Sequence, residues 1–271
     1  MKDILVQLDG GERSGLRLKV AIEIAQRRNG RVVGLFAQSE TDSSSLVARR
    51  ASEHLHEAAQ HAAEAFQQRV AAAGIAGKWL QLTHGEETHV VGETVFCSRY
   101  ADLVVLGQWH AEDSRVPNEL VEQVLLHSGR PALIIPYAGD VASIGQRVAV
   151  AWNGSREATR ALHDALPLLK SAAEVTVLSI RGPAPSEAPR GESAPMVGIV
   201  EHLAAIGVKA TAERLTTEDI GVMDLLLSRA FDLGCDLLVM GAHSGLGLMF
   251  MRGSGTRFIL RHMTMPVLMA N

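Results

Sequence analysis

Short apolar runs alternate along this chain with longer stretches in which apolar residues recur every three or four positions. The short runs suit buried strands and the longer ones suit helices with one apolar face. From residue 147 the pattern predicts strands at "RVAVAW", "EVTVLSI", "VKATAERL", "DLLVMG" and "PVLMA". Between them it predicts helices at "SREATRALHDALPLLK", "MVGIVEHLAAIG" and "DIGVMDLLLSRAFDLG", with a last one before "PVLMA". In the first of these, Ala158, Ala161, Leu162, Ala165, Leu168 and Leu169 fall on one face, and Ser155 is placed to cap the start. Gly207 and Gly234 mark the ends of the next two. Residues before 140 read the same way, from "DILVQL" through "LKVAIEIAQRR", "RVVGLFA", a long helix over "LVARRASEHLHEAAQHAAEAFQQRVAAAG", "KWLQLTH", "HVVGETVFCSRY", "DLVVLG" and "ELVEQVLLH" to "ALIIPY".

The two stretches repeat one another. "ADLVVLG" at 101–107 returns as "CDLLVMG" at 235–241, "RPALIIPY" at 130–137 as "MPVLMAN" at 265–271, and "DILVQLDGG" at 3–11 as "QRVAVAWNGS" at 146–155. Three landmarks in one order at nearly constant spacing indicate a duplicated domain. The expected domains are 1–140 and 141–271, joined near "YAGDVASIGQ". Each is an α/β unit with a five-stranded parallel sheet, since strand and helix alternate.

Composition narrows the function. With 271 residues, 47% hydrophobic and 21% charged, the chain can bury a sizeable core. A formal charge of −4 and the lack of a Lys/Arg tract argue against a nucleic-acid partner. No run approaches the ~20 apolar residues of a membrane span, and "MKDILVQLDGG" does not resemble a signal peptide, so a cytoplasmic protein without a membrane partner is expected. Cys97 and Cys235 stand apart with no CxxC, as reduced structural thiols would.

The richest candidate chemistry is "GAHSGLGLMFMRGSGT" at 241–256, between a strand and a helix. Glycine allows positive φ and close approach of a phosphate, and a helix starting near Ser254 would turn free N–H groups toward it. Ser254 and Thr256 add hydroxyls, and Arg252 and Arg257 add charge. In the first domain "QWHAEDSRVPNELVEQ" follows "DLVVLG" instead, with no glycine between Gly107 and Gly129 and with Glu112 and Asp113 set to repel a phosphate.

With "VAVAWNGS" opening the second domain and "DLLVMGAHSG…RGSGTRFILRH…MPVLMA" closing it, the chain resembles the universal stress protein family in its tandem two-domain form. The resemblance implies two copies of a Rossmann-like α/β sandwich of the adenine nucleotide α-hydrolase type. It also implies stress-response regulation through ATP, or another adenine nucleotide with or without Mg²⁺, bound in the C-terminal domain. The family pattern G-x2-G-x9-G-[ST] carries over to Gly241, Gly253 and Ser254 against the phosphates, with Ile180 near the adenine. The implied contact set is Ala151, Asn153, Ile180, Gly241, His243, Ser244, Gly245, Gly253, Ser254, Gly255 and Thr256. Two departures stand out: the middle glycine falls on Ser244 with Gly245 beside it, one residue short in the span to Gly253, and Asn153 replaces the usual carboxylate that Asp9 retains. An amide can still bond a ribose or base edge but brings no charge for a metal.

The N-terminal domain is therefore expected to be nucleotide-free and to serve structure or an unidentified protein partner, the two halves pairing as an intramolecular pseudo-dimer. Homodimers are a further expectation, through "PVLMA" or "ALIIPY". No nucleophile, base and orienting group come together, so no enzyme beyond weak ATP hydrolysis is expected. The alternative is a scaffold of the same fold that binds no nucleotide. His54, His56 and His61 read as exposed helix positions, "RGPAPSEAPRGESAP" at 181–195 as a surface loop, Met249, Phe250 and Met251 as packing residues, and Trp109 and Trp152 as residues that follow strand ends, Trp152 being either simply buried or a flank for the adenine.

Overall fold

The computed structural model describes residues 1–40, 45–82, 84–112, 115–181, 195–242 and 254–271, with the backbone alone for 45–52, 195–197 and 254. Two compact units result, Met1–Tyr137 and Ala138–Asn271.

Unit 1 contains β1 (Asp3–Leu8), α1 (Ser14–Arg28), β2 (Arg31–Phe36), α2 (Ser45–Ala72), β3 (Ala76–Gln81), α3 (Glu87–Ser98), β4 (Leu103–Gly107), α4 (Leu120–His127) and β5 (Ala132–Ile135). Unit 2 contains β6 (Arg147–Ala151), α5 (Arg156–Leu169), β7 (Glu174–Arg181), α6 (Pro195–Ala205), β8 (Thr211–Thr216), α7 (Val222–Asp232), β9 (Leu237–Gly241), α8 (Ser254–His262) and β10 (Val267–Ala270). The strands run in the order β3-β2-β1-β4-β5 in unit 1 and β10-β9-β6-β7-β8 in unit 2. Each described pairing within a unit is parallel, as in Leu5 opposite Val33 and Val150 opposite Val239.

The central strands are apolar on both faces because helices cover both. Leu103, Val104, Val105 and Leu106 are fully buried, as are Leu237, Leu238 and Val239. Each such side chain contributes about 1.5–3 kcal/mol. The predicted face of α5 is buried throughout, from Ala158 to Leu169. Ser155 accepts a hydrogen bond from the Ala158 N–H at 3.1 Å, so the expected cap is present. Gly207 and Gly234 take φ of 85° and 62°, and behind them Val208 and Cys235 bond back to the carbonyls of Leu203 and Ala230. Those are the left-handed turns that end α6 and α7. Several boundaries differ from the pattern: α1 begins a turn earlier, at Ser14, β3 ends three residues sooner, at Gln81, and β8 and α7 each begin three residues later, at Thr211 and Val222.

The repeated aspartate of "ADLVVLG" and "CDLLVMG" has a structural task at the amino edge of each sheet. Asp102 accepts the Lys2 and Asp3 N–H groups, and Asp236 accepts those of Gln146 and Arg147 and the Ser143 hydroxyl. The fourth strand of each unit is thereby tied to the start of its first. Bonding to the Lys2 N–H, chiefly, holds the Asp102 carboxyl below the usual carboxylate range despite partial burial.

Candidate functional site

Ligands of open parallel sheets collect beyond the carboxyl ends of the strands, where strand order reverses. In unit 2 a cavity of about 170 Å³ lies there, lined by the ends of β6, β7 and β9 and by the start of α7. Ala151, Trp152 and Asn153 come from the end of β6 and the turn after it, Leu178 and Ile180 from β7, and Met240 and Gly241 from β9. Ala158 of α5 and Val222, Met223 and Leu226 of α7 complete the wall. The lining is mostly aliphatic, and the described lining residues include no carboxylate. The volume falls below the ~300 Å³ at which drug-sized pockets begin, so it suits a single ring system whose polar remainder lies outside.

Three local features shape this cavity. The Asn153 side-chain oxygen accepts the Ser155 N–H at 3.0 Å, which folds the chain sharply after β6 and delivers Ser155 to its capping position. Gly241 packs directly on the first turn of α5: a Cβ there would lie 2.5 Å from the Ala158 nitrogen and 2.6 Å from the Glu157 carbonyl carbon. Close helix packing thus requires this glycine whether or not a phosphate approaches it. Thirdly, the indole nitrogen of Trp152 is buried and has no hydrogen-bond partner among the described residues. A buried donor left so costs about 1–3 kcal/mol.

Unit 1 treats the corresponding place differently. Asp9 accepts the Gly11 N–H at 2.8 Å, the same turn that Asn153 makes, but its other oxygen pairs with Arg17 at 2.7 Å. Gln7 and Ser14 bond the same carboxylate, at 3.1 and 3.0 Å. Burial alone would raise the Asp9 pKa; Arg17, then Gln7, Gly11 and Ser14, outweigh it and leave the carboxyl below its ordinary value. The Arg17 guanidinium lies 2.8 Å from where a Cβ of Gly107 would be, so an arginine side chain fills the space above the fourth strand. The cavity left there is about 70 Å³ and is lined by Arg13, Arg17 and Arg115 besides Asp9. Counting Glu112 and Asp113 along the sequence therefore misjudges its charge: folding adds three arginines, while Glu112 does not line it and Asp113 lies outside the described residues.

The comparisons with known proteins agree with this architecture. Residues 145–271 match the model of the universal stress protein family. The C-terminal domain, residues 145–271, belongs to that family. A universal stress protein from Archaeoglobus fulgidus superposes with a TM-score of 0.77 at 19% identity, covering 99% of this chain and 98% of that one. A functionally unknown protein from Pseudomonas aeruginosa gives a TM-score of 0.61 at 16% identity, over 100% of this chain and 92% of that one. At these identities the likeness is one of fold. A family member from Arabidopsis thaliana, solved with AMP bound, covers 52% of this chain and 94% of its own at 14% identity and a TM-score of 0.37. No curated protein matches the sequence. The C-terminal domain is thus that of a stress-response protein family, and no described helix is long and apolar enough to cross a membrane.

Of the residues expected from the sequence to contact nucleotide, Ala151, Asn153, Ile180 and Gly241 line the unit 2 cavity. Ser254, Gly255 and Thr256 form the first turn of α8; Thr256 is buried, and neither it nor Gly255 lines the cavity. That turn sits behind the Met223 wall, since a Cβ on Gly255 would lie 3.3 Å from the Met223 methyl. His243, Ser244, Gly245 and Gly253 lie outside the described residues, as do Arg252, Met249, Phe250, Met251 and most of the 181–195 segment. Sequence reasoning missed the α7 wall of Val222, Met223 and Leu226; Trp152, weighed from the sequence as either an ordinary buried residue or a flank for the adenine, lines the cavity. His54, His56 and His61 are exposed on α2, and Trp109 is 40% exposed. Both cysteines are free, and burial pushes the Cys235 thiol up to about 11.

Proposed function

We propose that this protein is a stress-response regulator that binds an adenine nucleotide, ATP by preference, through its C-terminal domain, with the adenine in the cavity between β6, β7 and α7. The observation that carries this reading is the cavity itself: an aliphatic slot at the strand-order reversal, sized for one ring system, lined in part by Trp152, whose buried N–H has no partner among the described residues. A purine offers ring nitrogens as acceptors for that donor, and Ile180, Leu178 and Val222 offer faces for its rings. Asn153, whose oxygen is committed to Ser155, keeps its amide N–H groups for a ribose hydroxyl. The polar remainder would lie toward the loop between Gly241 and Ser254, beside the start of α8. The lining residues supply no anionic ligand for Mg²⁺, so any bound ion would be held mainly by the phosphates.

In the N-terminal domain the Arg17–Asp9 pair fills the space above β4, which supports a structural or partner-binding role there. One observation favours the second reading, a scaffold without nucleotide: packing on α5 alone accounts for Gly241. Native mass spectrometry of the purified chain separates the two. One adenine nucleotide per chain supports the first, and a chain that stays bare after incubation with ATP, ADP and AMP supports the second.

A further inference from the structure

His163 lies on α5 and His202 on α6, two helices of the C-terminal domain that follow successive strands. Their Nε2 atoms are 3.2 Å apart, while the ring centroids are 5.3 Å apart, so the two rings meet nitrogen to nitrogen instead of stacking. The other nitrogen of His163, Nδ1, lies 2.8 Å from the Thr159 carbonyl oxygen. A carbonyl only accepts, so Nδ1 carries the proton and Nε2 of neutral His163 presents its lone pair to His202. This is the arrangement in which metal-binding histidines are held, with the outer N–H on a backbone carbonyl and the inner nitrogen directed at the ion. The spacing also fits: two imidazole nitrogens at about 2.0–2.1 Å from a tetrahedral Zn²⁺ stand about 3.3 Å apart. Both side chains are exposed, leaving room for water to complete the coordination.

We propose that His163 and His202 form a site for a divalent transition ion of zinc type, distinct from the nucleotide cavity, that clasps α6 to α5. His202 joins as the tautomer protonated on Nδ1, so that both Nε2 lone pairs face the ion. Among the described residues no group of three His, Cys, Asp or Glu side chains forms a metal cluster. This is therefore an open two-histidine site, occupied according to metal supply rather than a permanently loaded structural one.

The test uses the full chain without an affinity tag, titrated with Zn²⁺ and heated with and without it. At a free Zn²⁺ concentration a hundred times the dissociation constant, the unfolding midpoint of the wild type should rise by about 5 °C or more. His163→Ala and His202→Ala should each abolish that rise while leaving the metal-free midpoint unchanged, since both side chains are exposed. His54→Ala on α2 should leave it intact. Cu²⁺ supplies a second readout, with coupling to two imidazole nitrogens in the electron paramagnetic resonance spectrum of the wild type and to one in either variant. A wild type that neither gains stability nor binds Zn²⁺, or a rise that survives both substitutions, would overturn the proposal.

Discussion

Replacing Gly241 by alanine probes the joint on which the cavity depends. The new methyl would stand 2.5 Å from the Ala158 nitrogen, 2.6 Å from the Glu157 carbonyl carbon and 2.8 Å from the Glu157 Cβ. The first two are backbone atoms, so no side-chain rotation relieves the overlap and the first turn of α5 must move off β9. Overpacking of this kind costs about 1–3 kcal/mol. The same displacement pulls the Ala158 N–H away from Ser155, whose capping bond contributes about 1 kcal/mol. The two share an atom and will not simply add. A loss of about 3 kcal/mol is expected, which lowers the unfolding midpoint of a domain of this size by about 10 °C. Calorimetry of Gly241→Ala, Ser155→Ala and the double variant measures the loss and its coupling. Gly92→Ala is the control: Gly92 lies within α3 with open space where the added methyl would stand, so that change should stabilise by about 0.5–1 kcal/mol. A Gly241→Ala midpoint within about 1 °C of the wild type would refute the packing argument.

Two further outcomes follow from the groups whose titration the fold shifts. With its pKa near 11, Cys235 should react with iodoacetamide at pH 8 on the order of 100-fold more slowly than a free cysteine, as timed by mass spectrometry; matching rates would mean that the thiol is not desolvated. Asp9 and Asp102 both have lowered folded-state pKa values, so the stability they confer is present above the unfolded carboxylate value near 4 and is lost as pH falls below it. Urea midpoints should hold from pH 6 to about pH 5 and fall from there to pH 3, and Asp102→Asn should flatten part of that fall; an unchanged slope would remove Asp102 from the account.

Much of the fold was legible because local and global signals coincide. The alternation of period-2 and period-3.6 runs located the strands and helices, and the repeated "DLVVLG" and "DLLVMG" exposed the duplication, since buried parallel strands must be apolar on both faces. The shifted start of β8 has a physical cause. It is an outer strand, half exposed and alternating, so its sequence carries a weaker signal than β9 does. The site was legible only where a residue's position along a strand sets its place. Ala151, Ile180 and Gly241 end strands and so had to meet at one sheet edge. Val222 and Met223 looked like ordinary apolar helix residues, and only the packing of α7 over the ends of β6 and β7 turns them into a wall. Arg17 was missed for the opposite reason: in sequence it is one more charge just ahead of the expected helix, yet folding buries it against Asp9 and over Gly107.

Isothermal titration of ATP into the wild type and into Val222→Trp asks whether the slot between β6, β7 and α7 receives the base. Val222 is half-buried in the cavity wall, so an indole there fills the slot without invading the core. One ATP per wild-type chain, with heat lost in Val222→Trp at an unchanged unfolding midpoint, is the predicted result. A wild type silent to ATP, ADP and AMP, or a variant that binds as the wild type does, would contradict it.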